Sequence, residues 1–161
     1  MFPFVSRTSS QWCGALALVL VLVCAEPAAA SGPPSSANGT FGPTGAPAGV
    51  VVRPADGNLI IDITARPGAF TGTFTGTYLE DLRIVVHKDG SNNFAAQLTC
   101  ICTVAGRTGT FTMKLDGTGN PAGFDAHWRI IAATGGLEGL HGEGTLSGPV
   151  PSTYSGQYTF N

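Results

Sequence analysis

The chain has 161 residues, of which 11% are charged, and its formal net charge is −2. So sparse a charge, this close to neutral, leaves no basic face for nucleic acid, no acidic tail and no polybasic patch for a membrane surface. Partners chosen by bulk electrostatics are excluded, and the length suits one domain around a single core.

Residues 1–30 read as a secretory signal. Arg7 precedes an apolar run from Cys13 to Ala25, and Ala28, Ala29 and Ala30 place small residues where a signal peptidase needs them, predicting cleavage after Ala30. A spanning helix needs roughly 20 apolar residues, more than this run offers. Lipidation at Cys24 would require a small residue where Val23 stands. The expectation is a secreted or periplasmic protein with no membrane attachment after cleavage. Loss of Arg7 and Glu26 together leaves the net charge unchanged.

Residues 31–57 hold Pro33, Pro34, Pro43, Pro47 and Pro54 among Gly, Ser and Ala. Such a composition buries too little apolar surface to offset chain entropy and predicts a flexible lead-in. Asn38-Gly39-Thr40 within it matches a glycosylation sequon.

From Leu59 the apolar period is close to two, which predicts an all-β domain over residues 58–161. The expected strands are Leu59 to Ala65, Phe70 to Tyr78, Glu80 to Lys88, Phe94 to Val104, Thr108 to Asp116, Phe124 to Ala133, Leu137 to Ser147 and Tyr154 to Phe160. Arg66-Pro67-Gly68, the Asp89–Asn93 segment and the Asp116–Pro121 segment read as hairpin loops. Eight strands joined by short hairpins predict an antiparallel up-and-down β-barrel, which removes exposed edges; a sandwich of the same strands is the alternative.

Alternation assigns the faces. Ala96, Leu98, Cys100, Cys102 and Val104 share one apolar face with Phe94, while Phe111, Met113 and Leu115 do so on the next strand. Phe70, Phe74 and Tyr78 oppose the threonines at 71, 73, 75 and 77. Ala126, Trp128 and Ile130 oppose Asp125, His127 and Arg129. Downstream, glycines 135, 136, 139, 142 and 144 are too dense for a helix and mark a strand that bends or packs closely on another backbone.

Three of these segments together resemble the DUF3224 family: Gly106-Arg107-Thr108-Gly109-Thr110-Phe111, the tryptophan strand Ala126–Ile130, and the glycine-rich run from Gly135 to Gly144. Tyr78-Leu79-Glu80, followed by an apolar strand and Asp89-Gly90, is similar to that family's early hairpin. The resemblance covers roughly residues 58–161 and implies a barrel related to those of allene oxide cyclase and dirigent proteins. It brings no catalytic residue to carry over. The secretion signal and the Cys100-Ile101-Cys102 pair depart from the family pattern.

The chemistry-bearing residues are few. On one face of a flat strand, Cys100 and Cys102 would have Cβ atoms about 7 Å apart, beyond the roughly 3.5–4.5 Å of a disulfide, so inert, unbridged thiols are expected. No Cys and His spacing supplies a zinc set, so neither a metal nor a cofactor is expected. His141 and Glu143 on one strand, with Asp125, His127 and Arg129 on the one before, form a polar cluster. Facing a cavity it would support acid–base chemistry; facing water it is a cross-strand charge ladder, the orientation favoured once Trp128 occupies the core. Glu80, heading an otherwise apolar face, is the second catalytic candidate beside His127. It would either pair with Arg107 across a barrel rim or, as favoured, cap a hairpin in water. Gly117–Ala122 imitates a dinucleotide fingerprint but opens no helix, and no serine-nucleophile elbow or zinc-protease motif is present.

Two functions fit. One is a barrel that binds a small apolar molecule, or serves as a structural module, with Phe74, Tyr78, Phe111, Met113 and Trp128 lining or filling its interior. The other, implied by the cyclase relationship, is an isomerase or cyclase acting on an apolar substrate beside Glu80. Oligomeric state is not encoded in these patterns.

Overall fold

The computed structural model describes residues 32–161, so the expected signal segment and its cleavage after Ala30 lie outside the described residues. The strands are β1 (Ser35–Pro43), β2 (Gly49–Ala55), β3 (Asn58–Gly72), β4 (Phe74–Val86), β5 (Asn92–Val104), β6 (Arg107–Asn120), β7 (Gly123–Gly135), β8 (Leu140–Gly148) and β9 (Ser152–Phe160). All neighbours are antiparallel, in the order β1-β9-β8-β7-β6-β5-β4-β3-β2, and β1 also pairs with β3. That last pairing, Gly39–Pro43 against Gly68–Gly72, closes the sheet into a ring and leaves β2 outside it on the N-terminal half of β3. Among the described residues no helix is long and apolar enough to cross a membrane.

The all-β expectation and the face assignments hold, but the strand plan is corrected in several places. Residues 116–120, expected within a hairpin loop, continue β6, and only Pro121 and Ala122 make the turn into β7. Residues 31–57 are not a flexible lead-in, because they contain β1 and β2. β1 contributes Ala37 and Phe41 to the core and hydrogen-bonds on both edges, so pairing supplies the stabilisation its composition lacks. Arg66-Pro67-Gly68 is not a hairpin but the middle of β3. It marks the point where the outer edge of β3 changes partner from β2 to β1. There the Pro67 carbonyl accepts from Thr44 N, and the N–H that proline lacks would have pointed the same way, toward the β1–β2 connection. The true turn lies at Gly72-Thr73, where Gly72 has φ +94°, so the stretch expected as two strands across Leu79 runs unbroken as β4. From Asn58 onward there are therefore seven strands, and two more precede them.

Within the ring one half is packed solid. Phe70, Phe74, Phe111, Trp128 and Tyr154 form a web of stacked and edge-on rings, with Phe74 and Tyr154 centroids 5.1 Å apart and parallel. Such geometry stabilises beyond area burial alone. Tyr154 also ties the β3–β4 turn to β9: its hydroxyl accepts from Phe74 N at 2.8 Å and donates to Thr71 O at 3.0 Å. Tyr154→Phe leaves both backbone groups without this partner and is expected to cost about 1–3 kcal/mol, read as a lower urea midpoint with unchanged slope.

The glycine-rich run also has a packing role. A Cβ on Gly144 or Gly156 would stand 2.7 or 2.6 Å from the Trp128 ring, so these two residues form a bed on which the indole lies. Its Nε1 donates to the carbonyls of Thr145 and Ser155, each at 3.2 Å. Leu137, expected to open a strand, is instead the fully buried plug of the β7–β8 turn.

Cys100 and Cys102 are joined by a disulfide, which corrects the expectation of unbridged thiols. That expectation assumed a flat strand, whereas here the two Cα atoms are drawn to 5.5 Å, within the usual range for bridged residues. The residues flanking Cys102 on both neighbouring strands, Gly76 and Gly109, are glycines and leave space for the contracted segment. The unreduced protein is expected to weigh two hydrogens less than the thiol form. Alkylation of both cysteines under denaturing conditions without reductant would contradict this bridge.

Candidate functional site

The opposite half of the ring is hollow. A cavity of about 330 Å³ opens between the ends of β4, β6 and β1 and the starts of β5 and β7. Its wall includes Leu82, Ile84, Phe94, Leu115 and Phe124, and its mouth is bordered by Pro121, Ala122, Pro149 and Val150. Phe94 and Phe124 meet edge to face at 5.4 Å. Into this apolar setting project one carboxylate and one guanidinium, Glu80 and Arg66.

A β-bulge creates the pair. Between Ile63 and Arg66 the register of β3 against β4 shifts, so that Thr64 and Ala65 together oppose Asp81. Ala65 adopts φ +49°, and its N–H donates to Asp81 Oδ1 at 2.9 Å. Without the extra residue, Arg66 would lie on the opposite face. With it, Arg66 sits directly across from Glu80. Arg66 Nε donates to Glu80 Oε2 at 2.7 Å, and Nη2 donates to the same oxygen. The other oxygen, Oε1, receives no hydrogen bond from the described residues.

Glu80 is 3% exposed, and its burial raises the carboxyl pKa above the ordinary value, with Arg66 opposing the shift through charge and hydrogen bonding. On the same face of β4 lies Tyr78, whose ring covers Gly68. Burial, reinforced by the Glu80 charge, pushes the Tyr78 phenol well above its usual range. Its hydroxyl is buried and has no partner among the described residues.

The residues singled out in the sequence divide sharply. Glu80 faces the cavity instead of capping a hairpin in water. Its partner is Arg66, not Arg107, which stacks 4.1 Å over the Phe160 ring. His127 is on the outer surface, opposite Asp116 on one side and Thr145 on the other, within a ladder that includes Lys114, Arg129 and Glu143. Phe74, Tyr78, Phe111, Met113 and Trp128 are buried in the packed half, and none borders the cavity. The cavity's aromatic wall, Phe94 and Phe124, is not evident from sequence because both stand at the very start of the expected strands, where alternation gives Phe94 its correct face but no role. Arg66 was missed because Pro67-Gly68 concealed the bulge that turns it inward. Among the described residues no three His, Cys, Asp or Glu side chains gather into a metal-binding group.

A family model described as "Protein of unknown function (DUF3224)" matches residues 37–160. The crystal structure of a protein of unknown function from the DUF3224 family of Shewanella oneidensis MR-1 is similar in fold, with a TM-score of 0.67 and 17% sequence identity. The match covers 80% of this chain and 98% of that one. No curated protein matches. With the family match spanning β1 to β9, the chain belongs to the DUF3224 family.

Proposed function

We propose that this protein is a secreted β-barrel that binds a small, largely apolar molecule in the cavity beside Glu80 and Arg66. The carrying observation is the cavity itself: about 330 Å³ of mostly apolar space holding one nearly buried carboxylate. That size and composition fall within the range of sites for small ligands. An eight-stranded ring with one half packed and the other hollow suits such a barrel, and the allene oxide cyclase relationship belongs to the same reading. Secretion is supported by the signal-like residues 1–30 and by the Cys100–Cys102 disulfide, which suits an oxidising compartment.

The test is native mass spectrometry of protein purified from its secreting host, beside a variant with Ala122→Trp at the exposed mouth. Wild type is expected to carry a stoichiometric excess mass that is lost on denaturation, and the variant to carry less. A bare wild-type chain would overturn a resident-ligand role. Equal loading of the two proteins would place the ligand elsewhere.

A second reading, an isomerase or cyclase, rests on the raised pKa of Glu80. A carboxyl whose burial favours its protonated form can deliver a proton to a bound substrate, and once ionised it can stabilise developing positive charge. Turnover of a bound ligand that disappears in Glu80→Gln, with binding retained, would favour it.

A further inference from the structure

We propose that the cavity selects a neutral hydroxyl compound, an alcohol or phenol with an apolar body, whose O–H donates to Glu80 Oε1 while its oxygen accepts from Arg66. This deepens the ligand-binding reading above and rests on it. The argument is one of unfilled valence and balanced charge. Arg66 spends two N–H groups on Oε2, leaving Oε1 as an acceptor and the remaining guanidinium N–H groups as donors without partners among the described residues. The site therefore presents an acceptor and a donor on one side of an apolar cavity.

An ionic ligand matches only half of that arrangement. An ammonium attracted by Glu80 meets the Arg66 charge, and a carboxylate attracted by Arg66 meets Glu80, each at a site where burial amplifies the repulsion. A pure hydrocarbon fills the wall between Leu82, Phe94 and Phe124 but displaces water from the cavity-facing carboxylate oxygen Oε1 without offering it a donor. A group that both donates and accepts satisfies both partners without adding charge, and a hydroxyl is the smallest that does so from a single atom. The pair lies on the wall between the packed core and the proline-bordered mouth, so the hydroxyl would enter first with the apolar body behind it.

The experiment is an NMR titration of the folded protein with four probes sharing one ring: para-methylbenzyl alcohol, para-xylene, para-methylbenzoate and para-methylbenzylammonium. The alcohol is expected to bind about tenfold or more tightly than the hydrocarbon, the equivalent of one hydrogen bond to a charged group, and to exceed both ions. In the double variant Arg66→Met with Glu80→Leu, an apolar replacement of a buried pair that is often tolerated, the alcohol is expected to lose its advantage and the hydrocarbon to bind at least as tightly. If no probe shifts cavity resonances, the ligand-binding reading itself fails. If all four bind alike, or an ion binds best, that reading stands and the hydroxyl assignment is overturned. A preference for the alcohol that survives in the double variant overturns it as well.

Discussion

Arg66→Met is expected to destabilise the protein by about 3–5 kcal/mol at about pH 8, and by much less near pH 4. The cost arises because removal of the guanidinium strands a carboxylate that is 3% exposed, not because the pair itself adds much net stability. Burial already raises the Glu80 pKa in the folded protein above its ordinary 4.5, while the Arg66 charge and hydrogen bonds hold it down. A raised carboxyl pKa means that the folded protein holds this proton more tightly than the unfolded chain. The resulting stability is complete below 4.5 and is lost as pH rises through the folded value. Without Arg66 the folded value climbs further, so the window over which stability falls extends upward and the deficit grows with pH. Urea unfolding of wild type and variant across this range measures it. A deficit that does not change with pH would mean that Glu80 is not the stranded charge.

Trp128→Ala is expected to cost about 3–5 kcal/mol, the largest loss from a single core truncation here, because the indole is among the largest fully buried side chains and lies where two strands lack side chains of their own. Neighbours cannot move in to fill the space. Gly144 and Gly156 carry no side chain, and their backbones are fixed by pairing with each other across β8 and β9. Trp128→Phe is expected to fall between wild type and alanine, since it retains ring packing but leaves the Thr145 and Ser155 carbonyls without the indole donor. Gly156→Ala tests the same bed from the other side: its Cβ would lie 2.2 Å from Glu143 O and 2.6 Å from the indole. This variant is expected to unfold at markedly lower denaturant than wild type. A Trp128→Ala protein with near-native thermal stability would contradict the packing described.

The sequence by itself determined the class of the molecule and the sidedness of nearly every strand. The period-two alternation of β5, β6 and β7 places Leu98, Phe111, Met113 and Trp128 inward, and the structure places them there, because side-chain direction along a strand is a local property of the pleat. Glu80 was legible as an anomaly, a carboxylate heading an apolar face. Its partner and surroundings were not. Arg66 turns inward only through a bulge, and β1 becomes a strand only because two distant edges, on β3 and β9, are available to it. The disulfide likewise required a strand contracted between glycines on neighbouring strands. Register, closure and the division of the interior into a packed half and a hollow half were decided by tertiary structure, since each depends on hydrogen-bonding edges and volumes contributed by residues far apart in the chain.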